Sequence, residues 1–218
     1  MKATHEHEWE AAPGLPSALP HGERVVWQGA PDWKRLAIHA FHVRKVALYF
    51  ALMLAVQAIN LTAPEGQMDW KPLVVAGSLY ALALGLLLGT AWFSARSTLY
   101  TLTNKRVVMR IGIVLTLTFN LPFKRIAGAS LKSQGAGTGD IALALHPEDR
   151  IGWAHLWPHQ RAWYVTQPQP TLRCVPHSVQ VGEQLLALWR AERAGQSLHL
   201  GDAPVVEPAH TPNQGMLA

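Results

Sequence analysis

The chain has 218 residues, enough for one modest domain beside a short membrane segment. Hydrophobic residues make up 49% and charged residues only 15%, and this charged fraction is low for a fully soluble protein. The net charge of +5 indicates an anionic partner surface, and anionic lipid explains it more simply than nucleic acid because no nucleic-acid-binding motif is present.

The N-terminal part predicts a tail followed by a cytoplasmic segment. Residues 1–21 are rich in Pro, Ala, Glu and His and are expected to be flexible, and residues 22–29 read as a short strand. The rest of the segment 22–45 predicts an amphipathic helix, which either lies in the lipid interface or packs on the cytoplasmic domain. The apolar positions of this helix are Trp33, Leu36, Ala37, Ala40 and Phe41.

Two segments without any charged residue, 46–63 and 73–95, follow within a short distance of each other. About 20 helical residues cross a hydrocarbon core of about 30 Å, so the pattern predicts a transmembrane hairpin over 46–95. Gln57 and Asn60 share a helix face near the far end of the first segment. We expect these amides to reach the headgroups or to bond to the second helix, with a ligand role as the alternative.

Basic residues flank the hairpin on one side and orient it. Because positive residues stay on the cytoplasmic side, both termini should be cytoplasmic and the loop 64–72 should lie outside. The same residues are expected to contact anionic lipid headgroups. They are Lys34, Arg35, Arg44, Lys45 and Arg96.

A stripe of small residues runs along the second segment at a spacing of four. Its members are Gly77, Ala81, Gly85 and Gly89. Such stripes let helix backbones approach closely in lipid, where no hydrophobic drive brings helices together. The stripe is therefore a candidate helix-packing face, either against the first segment of the same chain or against a second copy or a partner complex.

After Arg96 the apolar pattern changes to a period of two, which predicts a small antiparallel barrel or sandwich. The predicted strands are 98–103, 106–111, 114–121, 125–132, 140–145, 150–157 and 171–175. Ser178 is expected to cap a closing helix that ends at Gly195, and residues 195–218 are expected to be disordered. The fold class is therefore an α+β membrane protein with a hairpin followed by a cytoplasmic β domain.

One aromatic and histidine cluster stands out within the predicted strand 150–157 and just after it. Alternate residues of a strand share a face, so Trp153, His155 and Trp157 should form one surface, with His159 and Trp163 nearby. We interpret this cluster either as an aromatic core edge or membrane-facing patch, or as a partner-binding face.

The sequence contains no recognisable arrangement of catalytic residues. It contains no nucleophile elbow, zinc-protease motif, P-loop or dinucleotide fingerprint, and the Gly-rich stretch 135–139 lies between strands where a hairpin loop is expected. The single cysteine, Cys174, excludes a disulfide framework and a thiolate metal site. Neither apolar segment contains a histidine to ligate a pigment, so we predict a protein without catalytic residues or cofactor.

Three stretches resemble bacterial pleckstrin-homology domains attached to membrane spans. They are GERVVWQGAP at 22–31, YTLTNKRVVMRIG at 100–112 and LPFKRIAGASL at 121–131. This resemblance implies that residues 98–194 form a pleckstrin-homology-like antiparallel β barrel or sandwich with a C-terminal helix.

Four further stretches are similar to the PuhB family of photosynthetic complex assembly proteins of purple bacteria. They are FHVRKVALYFA at 41–51, GTGDIALALHPEDRI at 137–151, HLWPH at 155–159 and LRCVP at 172–176. The resemblance covers about 22–193. It implies a self-associating, multi-pass protein of the bacterial inner (intracytoplasmic) membrane that helps to build the reaction centre and light-harvesting complex. The alternative is a lipid-binding membrane adaptor.

Overall fold

The computed structural model describes residue 15 and residues 18–61, 69–113, 115–135, 137–149 and 151–195. Most of the predicted tail 1–21, most of the loop 64–72 and residues 196–218 lie outside the described residues. The chain divides into two compact units, one formed by residues 32–96 and the other by residues 1–31 together with 97–218. The longer elements are, in chain order, β1 (Val25–Gly29), α1 (Trp33–His39), α2 (Val43–Ile59), α3 (Lys71–Ser97), β2 (Leu99–Thr103), β3 (Arg106–Ile111), β4 (Leu117–Pro122), β5 (Ile126–Gly135), β6 (Thr138–Leu145), α4 (Trp153–Leu156), β7 (Thr171–Pro176) and α5 (Ser178–Arg193).

The first sheet has the strand order β1-β2-β3-β4, with each neighbouring pair antiparallel. Its first strand, Val25–Gly29, pairs with β2 although the whole of residues 32–96 separates them in the chain. An ion pair of 2.6 Å between Glu23 Oε1 and Arg106 Nε holds the same connection. The β domain therefore includes a strand from outside the range 98–194, and residues 32–96 are an insertion between its first two strands.

The second sheet has the order β5-β6-β7, and α5 packs against its strands. The helix turns an apolar face inward, with Val181, Leu185 and Leu188 in the same core as residues of both sheets. Other members of this core are Tyr100, Leu102, Val107, Met109, Phe123, Ile141, Leu143 and Leu172. Two antiparallel sheets closed by a C-terminal helix form the pleckstrin-homology-like arrangement that the resemblance implied.

The other unit is helical. Asp32 caps α1 because its carboxylate accepts hydrogen bonds from the backbone N–H groups of Lys34 and Arg35. The axes of α1 and α2 differ by 56° across the break between them. A stacked pair of rings, Phe50 and Tyr80 with centroids 4.4 Å apart, brings α2 and α3 into contact.

Helix α3 has 27 residues and a mean hydropathy of 2.0 over its most apolar window, of which none is buried. Among the described helices it alone is long and apolar enough to cross a membrane, unless the bent pair α1 and α2 counts as one span. Helix α2 ends at Ile59, four residues before the predicted end of the first segment. The two-helix hairpin therefore stays a prediction.

Two local predictions were wrong. The described part of the predicted strand 150–157, residues 151–157, is not a strand. Trp153–Leu156 is a single helical turn that begins after the extended Gly152 and ends before Pro158, which has no N–H to donate to a sheet. Ser178 does not cap α5, because the preceding residue His177 is the N-cap and makes no side-chain bond. The Ser178 hydroxyl instead lies against Gly139 of β6, where an added Cβ would be 2.6 Å from it.

Candidate functional site

The residue His159 belongs to the predicted aromatic and histidine cluster, but it lies inside the protein. It is fully buried, its Nδ1 lies 2.6 Å from the Tyr100 hydroxyl, and its Nε2 lies 3.0 Å from Thr98 Oγ1. The Tyr100 hydroxyl also accepts a hydrogen bond from the backbone N–H of Arg173. Each ring nitrogen of His159 therefore has a hydroxyl partner, and the neutral imidazole donates to one of them and accepts from the other.

Burial sets the protonation of this group. Desolvation and then the nearby charge of Arg173 lower the pKa of His159 to about 3, so its imidazole is neutral at physiological pH. Burial also raises the pKa of Tyr100 far above its usual range. His159 is therefore a structural residue that fixes the loop after α4 to the start of β2, and its assignment to a partner-binding face was wrong.

The other three members of the cluster do reach the surface. Trp153 and Trp157 are 42% and 50% exposed, and His155 is exposed on the same helical turn. Because His159 bonds to Thr98, the first residue after α3, this aromatic turn lies near the point where the chain enters the β domain. A helical turn and not a strand presents these side chains, so the alternation of a strand does not place them on one face.

A second group of exposed apolar side chains follows in the same loop. Trp163 is 97% exposed with a positive φ of 69°, and Val165 is 65% exposed. The guanidinium of Arg161 lies 4.4 Å from the ring centre of Tyr164 and bonds to Gln169, which holds the base of this loop. Of these residues the sequence singled out only Trp163, because the others have no periodic pattern around them.

A buried polar network lies behind His159, and no sequence pattern indicated it. Arg173 Nε is 3.1 Å from Asp140 Oδ2, and the backbone N–H of Cys174 donates to Asp140 Oδ1 at 2.8 Å. The Cys174 thiol is buried and donates to Gln134 Oε1 at 3.3 Å. These contacts join β5, β6 and β7, so the network has a structural role and does not offer a reactive group.

Among the described residues of its unit, none packs closely on the glycines of the α3 stripe. A Cβ atom built on Gly77, Gly85 or Gly89 meets no atom within 4 Å, and Ala81 is exposed. Tyr80, which stacks on Phe50 of α2, lies about 100° around the helix axis from Ala81 of the stripe. Of the two interpretations of the stripe, packing against the first segment of the same chain therefore lacks support.

The predicted headgroup contacts lie where solvent or lipid can reach them. Lys34, Arg44, Lys45 and Arg96 are exposed, and Arg35 is half-buried. The Arg96 guanidinium stands 5.3 Å from the ring centre of Trp92. A cation over an aromatic ring at the end of an apolar helix is typical of a membrane interface.

The described part of the chain contains no set of side chains that could bind a metal ion together. Within these residues no group of three or more His, Cys, Asp or Glu side chains is placed to hold an ion. The arrangement offers surfaces for binding: an exposed aromatic turn, an open helix face and a set of basic side chains.

A protein-family model described as a bacterial PH domain matches residues 46–189. The chain is also 36% identical over 184 residues to a protein of Rhodobacter capsulatus named "Uncharacterized 23.7 kDa protein in puhA 5'region". That alignment covers 83% of this chain and 86% of the relative.

One solved structure is similar, a DUF1696 family protein with a pleckstrin-homology domain from Shewanella loihica. It is 12% identical, with a TM-score of 0.29, and the match covers 42% of this chain and 71% of that protein.

Proposed function

Because the chain belongs to the bacterial PH domain family, we propose that it acts by binding, as a non-enzymatic membrane factor in the assembly of the photosynthetic reaction centre and light-harvesting complex. The observation that carries this proposal is its 36% identity, over most of both chains, to a protein whose name places it in the puhA 5' region. The residues that resemble the PuhB family point the same way. In this role the protein holds nascent membrane subunits while the complex forms.

The proposed location is the bacterial inner membrane, with α2 and α3 as a hairpin and both termini in the cytoplasm. The support is the outward side chains of both helices: Leu48 and Ile59 of α2 are 72% and 73% exposed, and Leu82 and Leu86 of α3 are 61% and 63% exposed. Apolar surface of this extent on two neighbouring helices is unfavourable in water and compatible with lipid.

The stripe Gly77, Ala81, Gly85 and Gly89 is the proposed docking face for another membrane helix. Its support is the open space at Gly77, Gly85 and Gly89, where no described atom lies within 4 Å of an added Cβ, because small residues let helix backbones approach closely. The helix that docks belongs to a reaction-centre or light-harvesting subunit, or to a second copy of this chain in a self-associated state.

The aromatic turn is the proposed second contact. Trp153, His155 and Trp157 are exposed, and His159, two residues after Trp157, anchors this loop to Thr98 of the same unit. Tryptophan is enriched among the residues that dominate binding energy in protein interfaces.

A lipid-binding adaptor is the second candidate function. The exposed basic side chains Lys34, Arg44, Lys45 and Arg96 favour it, because basic residues beside a membrane attract anionic headgroups. This candidate predicts that binding of the full chain to membranes responds strongly to anionic lipid and that no photosynthetic subunit accompanies it.

The test is complementation of a purple bacterium that lacks this protein. The wild-type chain should restore the near-infrared absorption of the assembled complexes, and the double variant G85I/G89I should restore much less of it. The matched control is L82I/L86I, which introduces isoleucine at the same spacing where large exposed side chains already stand and so leaves the glycines unchanged. Equal restoration by both variants would contradict docking through the stripe, and full absorption without the protein would contradict the assembly role.

A further inference from the structure

The turn between β3 and β4 exposes apolar side chains. Leu115 is 79% exposed, Ile113 43% and Leu117 38%. The surrounding sequence has no charged residue from Ile111 to Phe123. Exposed turns usually carry Gly, Asn, Asp or charged residues. An apolar turn of this kind is typical of a surface that another molecule covers.

Strand register places this turn at the same end of the sheet as the start of β2, which follows Ser97. Strand β2 begins at Leu99, two residues after the last residue of α3, and Leu99 pairs with Arg110 near the end of β3. Ile111 then pairs with Leu117, so the intervening turn lies just beyond Leu99 at that end of the strands. The turn 104–105 lies at the opposite end of β2 and β3.

The shape of the turn is fixed by one glycine. Gly112 has a φ of 126°, and a Cβ added there would collide with the carbonyl oxygen of Leu115. Only glycine adopts this conformation without strain, so the close approach of Gly112 to the Leu115 carbonyl requires a glycine.

We propose that Ile113, Leu115 and Leu117 insert into the lipid interface and seat the β domain on the membrane. The occupant of this surface is lipid, because the turn shares its end of the sheet with the residues that follow an apolar helix, and it offers no charge that a soluble partner would recognise. This inference rests on the proposed membrane location of α3.

The experiment uses the full chain in vesicles of phosphatidylcholine and phosphatidylglycerol. An environment-sensitive fluorophore is attached to cysteine in three variants, L115C in the turn, K105C at the opposite end of the strands and L86C on α3. The native Cys174 is buried, and labelling of the unsubstituted chain measures its contribution. Nitroxide quenchers are placed in the lipid near the headgroup or near the middle of the acyl chain.

The proposal expects L115C to lose most of its fluorescence to the quencher near the headgroup, and L86C to the quencher in the acyl chain. K105C should keep its fluorescence with both. Quenching at L86C without quenching at L115C would overturn the proposed seating alone, including the case in which a blue-shifted L115C emission reveals a protein surface there. Absence of quenching at L86C would overturn the membrane location of α3 and this inference with it.

Discussion

Replacing His159 with phenylalanine tests the buried site most sharply. The new side chain would keep an aromatic ring beside Tyr100 but would remove both hydrogen bonds, to the Tyr100 hydroxyl at 2.6 Å and to Thr98 at 3.0 Å. A buried polar group that loses its partner costs about 1 to 3 kcal/mol. With two partners affected, we expect H159F to lower the free energy of unfolding by about 2 to 4 kcal/mol at about pH 7.5.

The pH dependence of that difference follows from the lowered pKa. His159 has a pKa of about 3 in the folded protein against 6.5 when unfolded. As the pH falls, this histidine is therefore protonated in the unfolded chain before it is protonated in the folded protein. The stability that this group supports is complete above pH 6.5 and falls as the pH drops toward 3. At about 1.4 kcal/mol per pH unit, the wild type loses about 2 kcal/mol at about pH 5, and H159F loses none from this source.

The assay is denaturant unfolding of the full chain in detergent, followed by tryptophan fluorescence. The gap between wild type and H159F should narrow by about 2 kcal/mol between about pH 7.5 and about pH 5. The control H155Q replaces an exposed histidine four residues earlier and should match the wild type throughout. A gap that stays constant with pH would refute a buried, neutral His159.

Three further changes probe other parts of the structure. W157A should reduce recovery of photosynthetic subunits in pull-downs while the circular dichroism spectrum stays unchanged, since this side chain is 50% exposed; full recovery would remove the aromatic turn from the interface. E23A should lower the free energy of unfolding by about 2 to 3 kcal/mol, because Arg106 would keep a largely buried charge without its 2.6 Å partner, and a loss below about 0.5 kcal/mol would argue against this link. G112A should lower the unfolding midpoint in denaturant, because the left-handed backbone admits no Cβ there, and an unchanged midpoint would mean that the turn relaxes freely.

Elements with a strong local period could be predicted from the sequence. The alternation in 98–111 indicated both strands and the turn between them, and the apolar positions of α5 indicated its buried face. The short strand at 22–29 was also recognised. Its pairing with β2 was not, because nothing in the sequence shows that the neighbour of this strand lies beyond three inserted helices.

The candidate site could be predicted only in part, because its residues meet across long sequence distances. Trp153, His155 and Trp157 are exposed, but Gly152 and Pro158 interrupt the strand that their spacing suggested, so their common face stays a prediction. The burial of His159 depends on Thr98 and Tyr100, about sixty residues earlier in the chain. No single-sequence pattern encodes such a contact.

Isolation of the tagged full-length protein from a purple bacterium that is assembling its photosynthetic apparatus tests the central claim most directly. The account predicts that reaction-centre or light-harvesting subunits are recovered with the wild-type chain and with L82I/L86I, and are depleted with G85I/G89I. Recovery of the chain with anionic lipid alone, equally for all three proteins, would contradict it and support the lipid-binding adaptor.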